Sequence, residues 1–249
     1  STFDLADPDA YGRYRWRDYG AVINAGAYTK VDVAETPEGR IDAWRTNVAG
    51  VGLLAAVAAE HDLTLVTVSS DYVFDGTREV HEEDEPLSPL GVYGQTKAAG
   101  DAIAVTVPRH YVLRTSWVIG DGANFVRTMA DLAVRGVRPA VVGDQIGRLT
   151  FAEDLAAGIV HLLASKAPYG VYNLSNEGVP QSWWEIARRV YELTGHDPES
   201  VTAVSTEDYF RDRAAAPRPL NSTLDLTKLE STGFTPRDGD DALRAYLSR

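Results

Sequence analysis

Tyr93 and Lys97 stand four residues apart in Tyr93-Gly94-Gln95-Thr96-Lys97, at the start of a segment with helical periodicity. On a helix, that spacing puts both side chains on one face, where their polar ends can converge. A phenol, with an ordinary pKa of about 10, exchanges protons poorly at neutral pH unless a nearby cation favours the phenolate. Lys97 supplies that cation. Upstream, the apolar run Leu63–Val68 leads into Ser69-Ser70-Asp71-Tyr72-Val73-Phe74-Asp75-Gly76. Ser70, at the carboxyl end of that predicted strand, can place a hydroxyl beside the same oxygen that Tyr93 would serve. A Tyr-x-x-x-Lys pair alone recurs by chance; joined to a serine-bearing strand it points to proton transfer at a carbonyl.

The elements that must position these groups alternate in type. Ala21–Ala25, Leu63–Val68, Tyr111–Thr115 and Ala140–Val142 read as strands, and Asn47–Glu60, Val92–Val107 and Asn124–Arg135 read as helices. This alternation predicts an α/β fold, a Rossmann-like doubly wound parallel sheet. Asn47 is read as the cap of its helix, because Val48, Val51, Leu54, Ala55 and Ala58 fall on one stripe after it. A helix at Phe151–Ala164 and a strand near Val171–Leu174 continue the pattern. Beyond Glu177 come a helix at Ser182–Thr194 stopped by Gly195, Pro-punctuated pieces, and a last helix near Asp240–Leu247. The expected division is a nucleotide-binding domain over 1–143, to which 151–174 returns, and a smaller C-terminal substrate-binding lobe, mainly 144–249, roofing the sheet's carboxyl edge.

Composition narrows the function. With 249 residues, 44% hydrophobic and 24% charged, the chain can bury a sizeable core, and no run nears the ~18 apolar residues of a membrane helix. The absence of cysteine excludes a disulfide framework and a thiol nucleophile, and a net charge of −12 disfavours nucleic acid and anionic membranes as partners. A small-molecule substrate is expected. No basic segment followed by an apolar one opens the chain, so a cytoplasmic location is expected. The five histidines show no metal-ligand spacing. Glu82-Glu83-Asp84-Glu85 is read as a solvated loop, with a divalent cation left open there.

Several further segments join these: Ile23-Asn24-Ala25-Gly26-Ala27-Tyr28-Thr29-Lys30-Val31-Asp32-Val33-Ala34-Glu35, Leu113-Arg114-Thr115-Ser116-Trp117-Val118, Thr150-Phe151-Ala152-Glu153-Asp154, Tyr172-Asn173-Leu174-Ser175-Asn176 and Arg218-Pro219-Leu220-Asn221-Ser222. Together they resemble the extended short-chain dehydrogenase/reductases, and within them the dTDP-4-dehydrorhamnose reductase family, over nearly the whole chain. The resemblance implies NADPH-dependent reduction of a C4 ketone on dTDP-4-dehydro-L-rhamnose, or a close nucleotide-linked sugar, in dTDP-rhamnose biosynthesis, with NADH possible. It gives Ser70, Tyr93 and Lys97 catalytic roles. It assigns Asn24, Ala25, Gly26, Ala27, Tyr28, Ser69, Tyr93 and Lys97 to the cofactor, and Val31, Asp71, Tyr72, Trp117 and Arg218 to the substrate. It also implies a homodimer or a longer or fused chain.

Some roles stay open from the residues alone. Trp117 follows a strand and could pack on a sugar face or in the core; Arg218 could meet a nucleotide phosphate or an acidic neighbour; Asn24–Ala27 could be a close backbone approach or an ordinary turn. A non-catalytic regulatory subunit of methionine adenosyltransferase shares the Ser69–Gly76 run and the Tyr93–Lys97 pair, and a sugar-nucleotide epimerase is a third reading. Trp117 and Ser182-Trp183-Trp184 look more like the reductase. One part of the pattern is missing: a Gly-rich strand-to-helix turn that would crowd backbone amides onto a pyrophosphate. Gly120-Asp121-Gly122 is read as a loop before the next helix. Ser1–Pro8 looks like the family's segment after its second strand, so the first βα unit and the strand after it are expected to be absent, the edge of Ala21–Ala25 to be bare, and NADPH binding by this chain alone to be poor.

Overall fold

Parallel strands need long crossovers, and the helical stretches between the apolar runs supply them. The computed structural model describes residues 3–249. In it β1 (Ala21–Asn24), β2 (Thr64–Ser70), β3 (His110–Thr115) and β4 (Gly170–Asn173) lie side by side in one parallel sheet, in that order. The crossovers carry α1 (residues 37–60) and α2 (Val92–Ala104), and between β3 and β4 run α3 (Phe125–Val134) and α4 (Ala152–Ser165).

Successive strand residues face opposite layers. Leu65 and Val112 pack with Val51, Leu54 and Ala58 of α1 and Ala104 of α2, whereas Val66, Tyr111, Leu113 and Tyr172 pack with Leu155, Ile159 and Leu162 of α4. Helices therefore cover both faces, the doubly wound arrangement that the alternating pattern predicts. Among the described residues β1 is an edge strand; Ile23 is exposed on it, and Phe3, Tyr14, Trp16 and Tyr19 line a groove of about 430 Å³ alongside.

The second lobe has its own core. Ile119, Val126, Met129 and Val141 pack with Ile186, Val190 and Tyr191 of α5 (Trp183–Leu193) and Leu243 and Tyr246 of α6 (Gly239–Leu247). This corrects the boundary expected at residue 143: α3 and Ala140–Val142 belong to the smaller lobe. Ala140–Val142 pairs in parallel with Thr202–Val204 and not with the main sheet. Periodicity reports that a segment is a strand but not which sheet it joins. The lobe begins where Trp117 takes a left-handed backbone, φ 47°, and turns the chain out of β3. Residues 152–173 carry α4 and β4, and β4 pairs with β3.

Helix ends follow local chemistry. Asn124 caps α3 by accepting from Arg127 N at 3.0 Å, so the Gly120–Gly122 stretch is the loop that precedes a helix. Ser182 and Glu185 form a reciprocal capping box at the start of α5, and Gly195 leaves its end at φ 78°.

Candidate active site

Ser70 ends β2 and is in register with Thr115, the end of β3, so both stand at the sheet's carboxyl edge. One cavity of about 600 Å³ opens there, lined by Ala25, Ala27, Val31, Ser69, Ser70, Asp71, Tyr72, Tyr93, Lys97 and Trp117 among others. Ten of the residues singled out from sequence thus meet at one place. Thr115 and the first turns of α4, through Ala152, Leu155 and Ala156, complete the wall. Sequence reasoning missed these; apolar helix residues read as core, and only the three-dimensional turn of α4 aims them at the cavity.

The position of α2 against this site depends on close backbone approach. A Cβ at Gly94 would lie 2.2 Å from the Tyr72 carbonyl oxygen, and one at Gly100 would lie 2.6 Å from that of Asn47. Glycine at these two positions lets the helix bearing Tyr93 and Lys97 sit down on its neighbours. Lys97 is buried and donates from Nζ to the Val68 carbonyl at 2.7 Å, which leaves two of its three protons for other acceptors. Tyr93 packs edge-on to Tyr72, ring centroids 5.4 Å apart.

Burial dominates the electrostatics. It pushes the Tyr93 phenol up to about 12, with Ser70 the leading opposing influence. It pushes the Lys97 ammonium down, against the charge of Asp101. Asp71 is pushed up to about 6 by burial, opposed by the hydroxyls of Ser222 and Ser70, and its Oδ2 has no hydrogen-bond partner. Ser70 Oγ donates to Asp71 Oδ1 at 3.0 Å and accepts from Tyr72 N at 3.2 Å, capping the Asp71–Val73 turn. Ser69 Oγ is buried and unpartnered.

Four singled-out residues lie outside this cavity. Asn24 and Gly26 line the groove beside β1; Asn24 donates to Thr67 Oγ1 at 3.1 Å and accepts from Gly26 N at 3.2 Å, tying the end of β1 to β2. Tyr28 packs with Ala34, Ala43, Val92 and Tyr93. Arg218 lines an adjoining cavity of about 430 Å³ that shares Tyr72 as a wall and also presents Trp183, Tyr209 and Phe210. Its guanidinium donates to both carboxylate oxygens of Asp32, at 2.8 and 2.9 Å, and lies 4.5 Å from the Phe210 ring centroid. The acidic neighbour is therefore present.

Two expectations are overturned here. Asn47 is not a helix cap: α1 starts ten residues earlier, with Thr36 accepting from Gly39 N and Pro37 in the first turn. Asn47 lies inside a π-helical stretch, Arg45–Gly50, and is buried. Its Oδ1 accepts from Tyr28 N at 2.8 Å, and its Nδ2 donates to Tyr28 O at 3.2 Å and Thr96 Oγ1 at 3.0 Å. One amide so pins the cavity-lining loop 25–31 to α2, a use of the side chain that a polar residue in an apolar stripe signals as readily as a cap. The acidic run is a solvated loop only in part: Glu82 and Asp84 are exposed, but its other two residues turn inward. Glu85 is buried against His81, Oε2 to Nδ1 2.9 Å, and Glu83 accepts from Asn173 N at 2.9 Å. Buried donors on neighbouring segments draw half the run inward. Among the described residues no group of three His, Cys, Asp or Glu is placed to hold a metal ion, and no helix is long and apolar enough to cross a membrane.

The whole chain, residues 1–249, matches the model of the family described as RmlD substrate binding domain. It is 38% identical over 242 residues to the dTDP-4-dehydrorhamnose reductase of Aggregatibacter actinomycetemcomitans, covering 90% of this chain and 80% of that one. The crystal structure of a dTDP-4-dehydrorhamnose reductase from Clostridium acetobutylicum superposes with TM-score 0.90 at 34% identity, over 98% of this chain and 86% of that one. Another from Bacillus anthracis, in complex with NADP, gives TM-score 0.87 at 31% identity, over 99% and 87%. With the parallel sheet, the Ser70/Tyr93/Lys97 cavity and these likenesses in agreement, the chain belongs to the RmlD substrate binding domain family.

Proposed function

We propose that this protein is an NADPH-dependent dTDP-4-dehydrorhamnose reductase, which reduces the C4 ketone of dTDP-4-dehydro-L-rhamnose to give dTDP-L-rhamnose. The observation that carries the reading is the convergence of Tyr93, Lys97 and Ser70 on one cavity at the carboxyl edge of the sheet. The likenesses to dTDP-4-dehydrorhamnose reductases support it.

The cavity suits a nicotinamide and its ribose. Ala25 and Ala27 leave the backbone open to close approach, Ser69 Oγ waits without a partner, and Lys97 has protons to give to ribose hydroxyls. When bound there, NADPH supplies the hydride that goes to C4. Tyr93 holds its proton at neutral pH, because burial has raised it, and donates to the ketone oxygen as that oxygen gains negative charge. The Lys97 ammonium then stabilises the phenolate left behind. For Ser70 to donate to the ketone oxygen, its hydroxyl turns away from Asp71 Oδ1. Trp117, with Val31 and Tyr72, bounds the sugar, and the adjoining cavity of Arg218, Tyr209 and Phe210 offers a cation and aromatic faces to the nucleotide.

The test follows NADPH absorbance with dTDP-4-dehydro-L-rhamnose as substrate and identifies the product by mass spectrometry and proton NMR. Formation of dTDP-L-rhamnose is expected. Tight binding of the nucleotide sugar and NADPH together without turnover would sink the assignment.

A further inference from the structure

The cavity of about 430 Å³ that adjoins the Tyr93 site holds a buried amide with one half uncommitted. Val142 pairs with Val204 where Ala140–Val142 runs parallel to Thr202–Val204, and Gly143 N donates to the Val204 carbonyl at 2.9 Å. That register sets Asp144 and Gln145, just past one strand, beside Thr206, the first residue of the short helix Thr206–Phe210. Gln145 lines the cavity, is 6% exposed, and donates from Nε2 to Thr206 Oγ1 at 3.0 Å. Its Oε1 makes no hydrogen bond to any described residue and is not walled off by protein.

Neighbours fix the direction of this amide. Thr206 donates to the Asp144 carboxylate from its hydroxyl at 2.6 Å and from its backbone N at 2.9 and 3.0 Å. A carboxylate accepts and does not donate, so the hydroxyl's one proton is spent on Asp144 and its oxygen has only lone pairs to offer Gln145. The amide must therefore turn its NH2 to Thr206 and keep its carbonyl oxygen for the cavity. We propose that Gln145 is a specificity-determining residue for the nucleotide: its oriented Oε1 accepts the N3–H that thymine and uracil carry, and repels the N3 lone pair of cytosine.

The rest of the wall suits a base but does not read that edge. Trp183, Phe125 and Phe210 present rings on which a base stacks. Arg218 carries donors only, and the Thr128 hydroxyl donates to the Asn124 carbonyl at 2.8 Å. Tyr72 and Tyr209 have hydroxyls, which donate as readily as they accept. Gln145 supplies a side-chain acceptor that cannot also donate, and such a group discriminates against a ligand that lacks the matching N–H, because a buried acceptor is then left unpaired.

The inference rests on the proposed nucleotide-sugar substrate, and its test needs neither cofactor nor turnover. Calorimetry measures dTDP, its N3-methyl derivative and dCDP against the parent protein, Gln145→Leu and Thr206→Val. The parent is expected to bind dTDP about ten-fold or more tighter than either of the other two. Gln145→Leu should bring all three to within about three-fold of one another, whereas a residue that only holds the turn would weaken them alike and keep the ranking. Thr206→Val frees the amide to rotate, so it should narrow the gap between dTDP and dCDP, and it serves as the test where Gln145→Leu does not fold. A parent indifferent to the N3 methyl group, a parent that binds none of the three, or a ranking unchanged in the folded variants overturns the inference. A parent that shows the expected ranking yet reduces no ketone overturns the functional reading alone.

Discussion

Trp117 and Trp183 stack face to face, ring centroids 3.8 Å apart and planes 19° from parallel, so the cavity wall and the second lobe share one aromatic step. Trp183 opens α5 and packs on the lobe's core together with Phe125. The two readings that the sequence leaves open for Trp117, sugar face or core, are therefore not exclusive. The indole lines the cavity and is held from behind by a partner that arrives from 66 positions later in the chain.

Removing this ring should affect both binding and stability. Trp117→Ala loses the stack and part of its apolar burial, an expected cost of about 2 kcal/mol in chemical denaturation, and raises KM for the nucleotide sugar. Because the backbone at 117 is left-handed, φ 47°, Trp117→Gly should be at least as stable as Trp117→Ala. That reverses their usual order. A glycine variant clearly less stable than the alanine one would show that the left-handed conformation carries no strain.

Much of the site was legible because its members lie on elements with strong local signals. Ser70 ends an apolar run, Tyr93 and Lys97 share a helix face, and the strand and helix periods say which edge they reach. What stayed hidden depends on contacts between distant segments. Asn47 meets Tyr28 and Thr96 across 19 and 49 positions, and Glu83 meets Asn173 across 90. A local pattern assigns such a residue its commonest use, a cap or a solvated charge, and tertiary hydrogen bonding then overrides it. The placement of α3 and Ala140–Val142 in the smaller lobe was hidden for a related reason, since strand pairing is not written into a three-residue run.

Tyr93→Phe keeps the ring that packs against Tyr72 and deletes the proton. Ketone reduction is expected to fall by ~10²–10⁴ in kcat, with Kd for the nucleotide sugar within a few-fold of the parent and the melting temperature little changed. Steady-state kinetics and calorimetry check this together. Retention of about a tenth or more of kcat would place the proton donor elsewhere.

Asn47→Leu fills similar volume but strips Tyr28 N and O of their partner and takes one donor from Thr96 Oγ1, which keeps its bond to the Tyr93 carbonyl. Leaving buried polar groups unpaired should cost about 1–3 kcal/mol. It should also loosen the loop 25–31, which brings Ala25, Ala27 and Val31 to the cavity, so KM for NADPH should rise more than kcat falls. Hydrogen exchange at the Tyr28 amide reads the same event directly. A Tyr28 amide as protected in the variant as in the parent would show that another contact holds the loop.

Asp71 gives stability an unusual pH slope. Its carboxyl is pushed up to about 6 by burial, against an ordinary value near 4, so over that interval the folded protein keeps a proton that the unfolded chain has lost. Stability must then fall as pH rises from about 4 to about 6, by an amount on the order of 3 kcal/mol from this group, and the loss is complete above that range. A carboxylate paired with a cation would show the opposite sign. Asp71→Asn removes the titration while leaving an oxygen for Ser70 to donate to, so the difference in unfolding free energy between parent and variant should change in the variant's favour as pH rises from 4 to 7. Urea denaturation of the two proteins across that range measures it. A difference that stays constant with pH would mean that Asp71 is already ionised at pH 4 in the folded protein, and that Ser70 and Ser222 outweigh its burial.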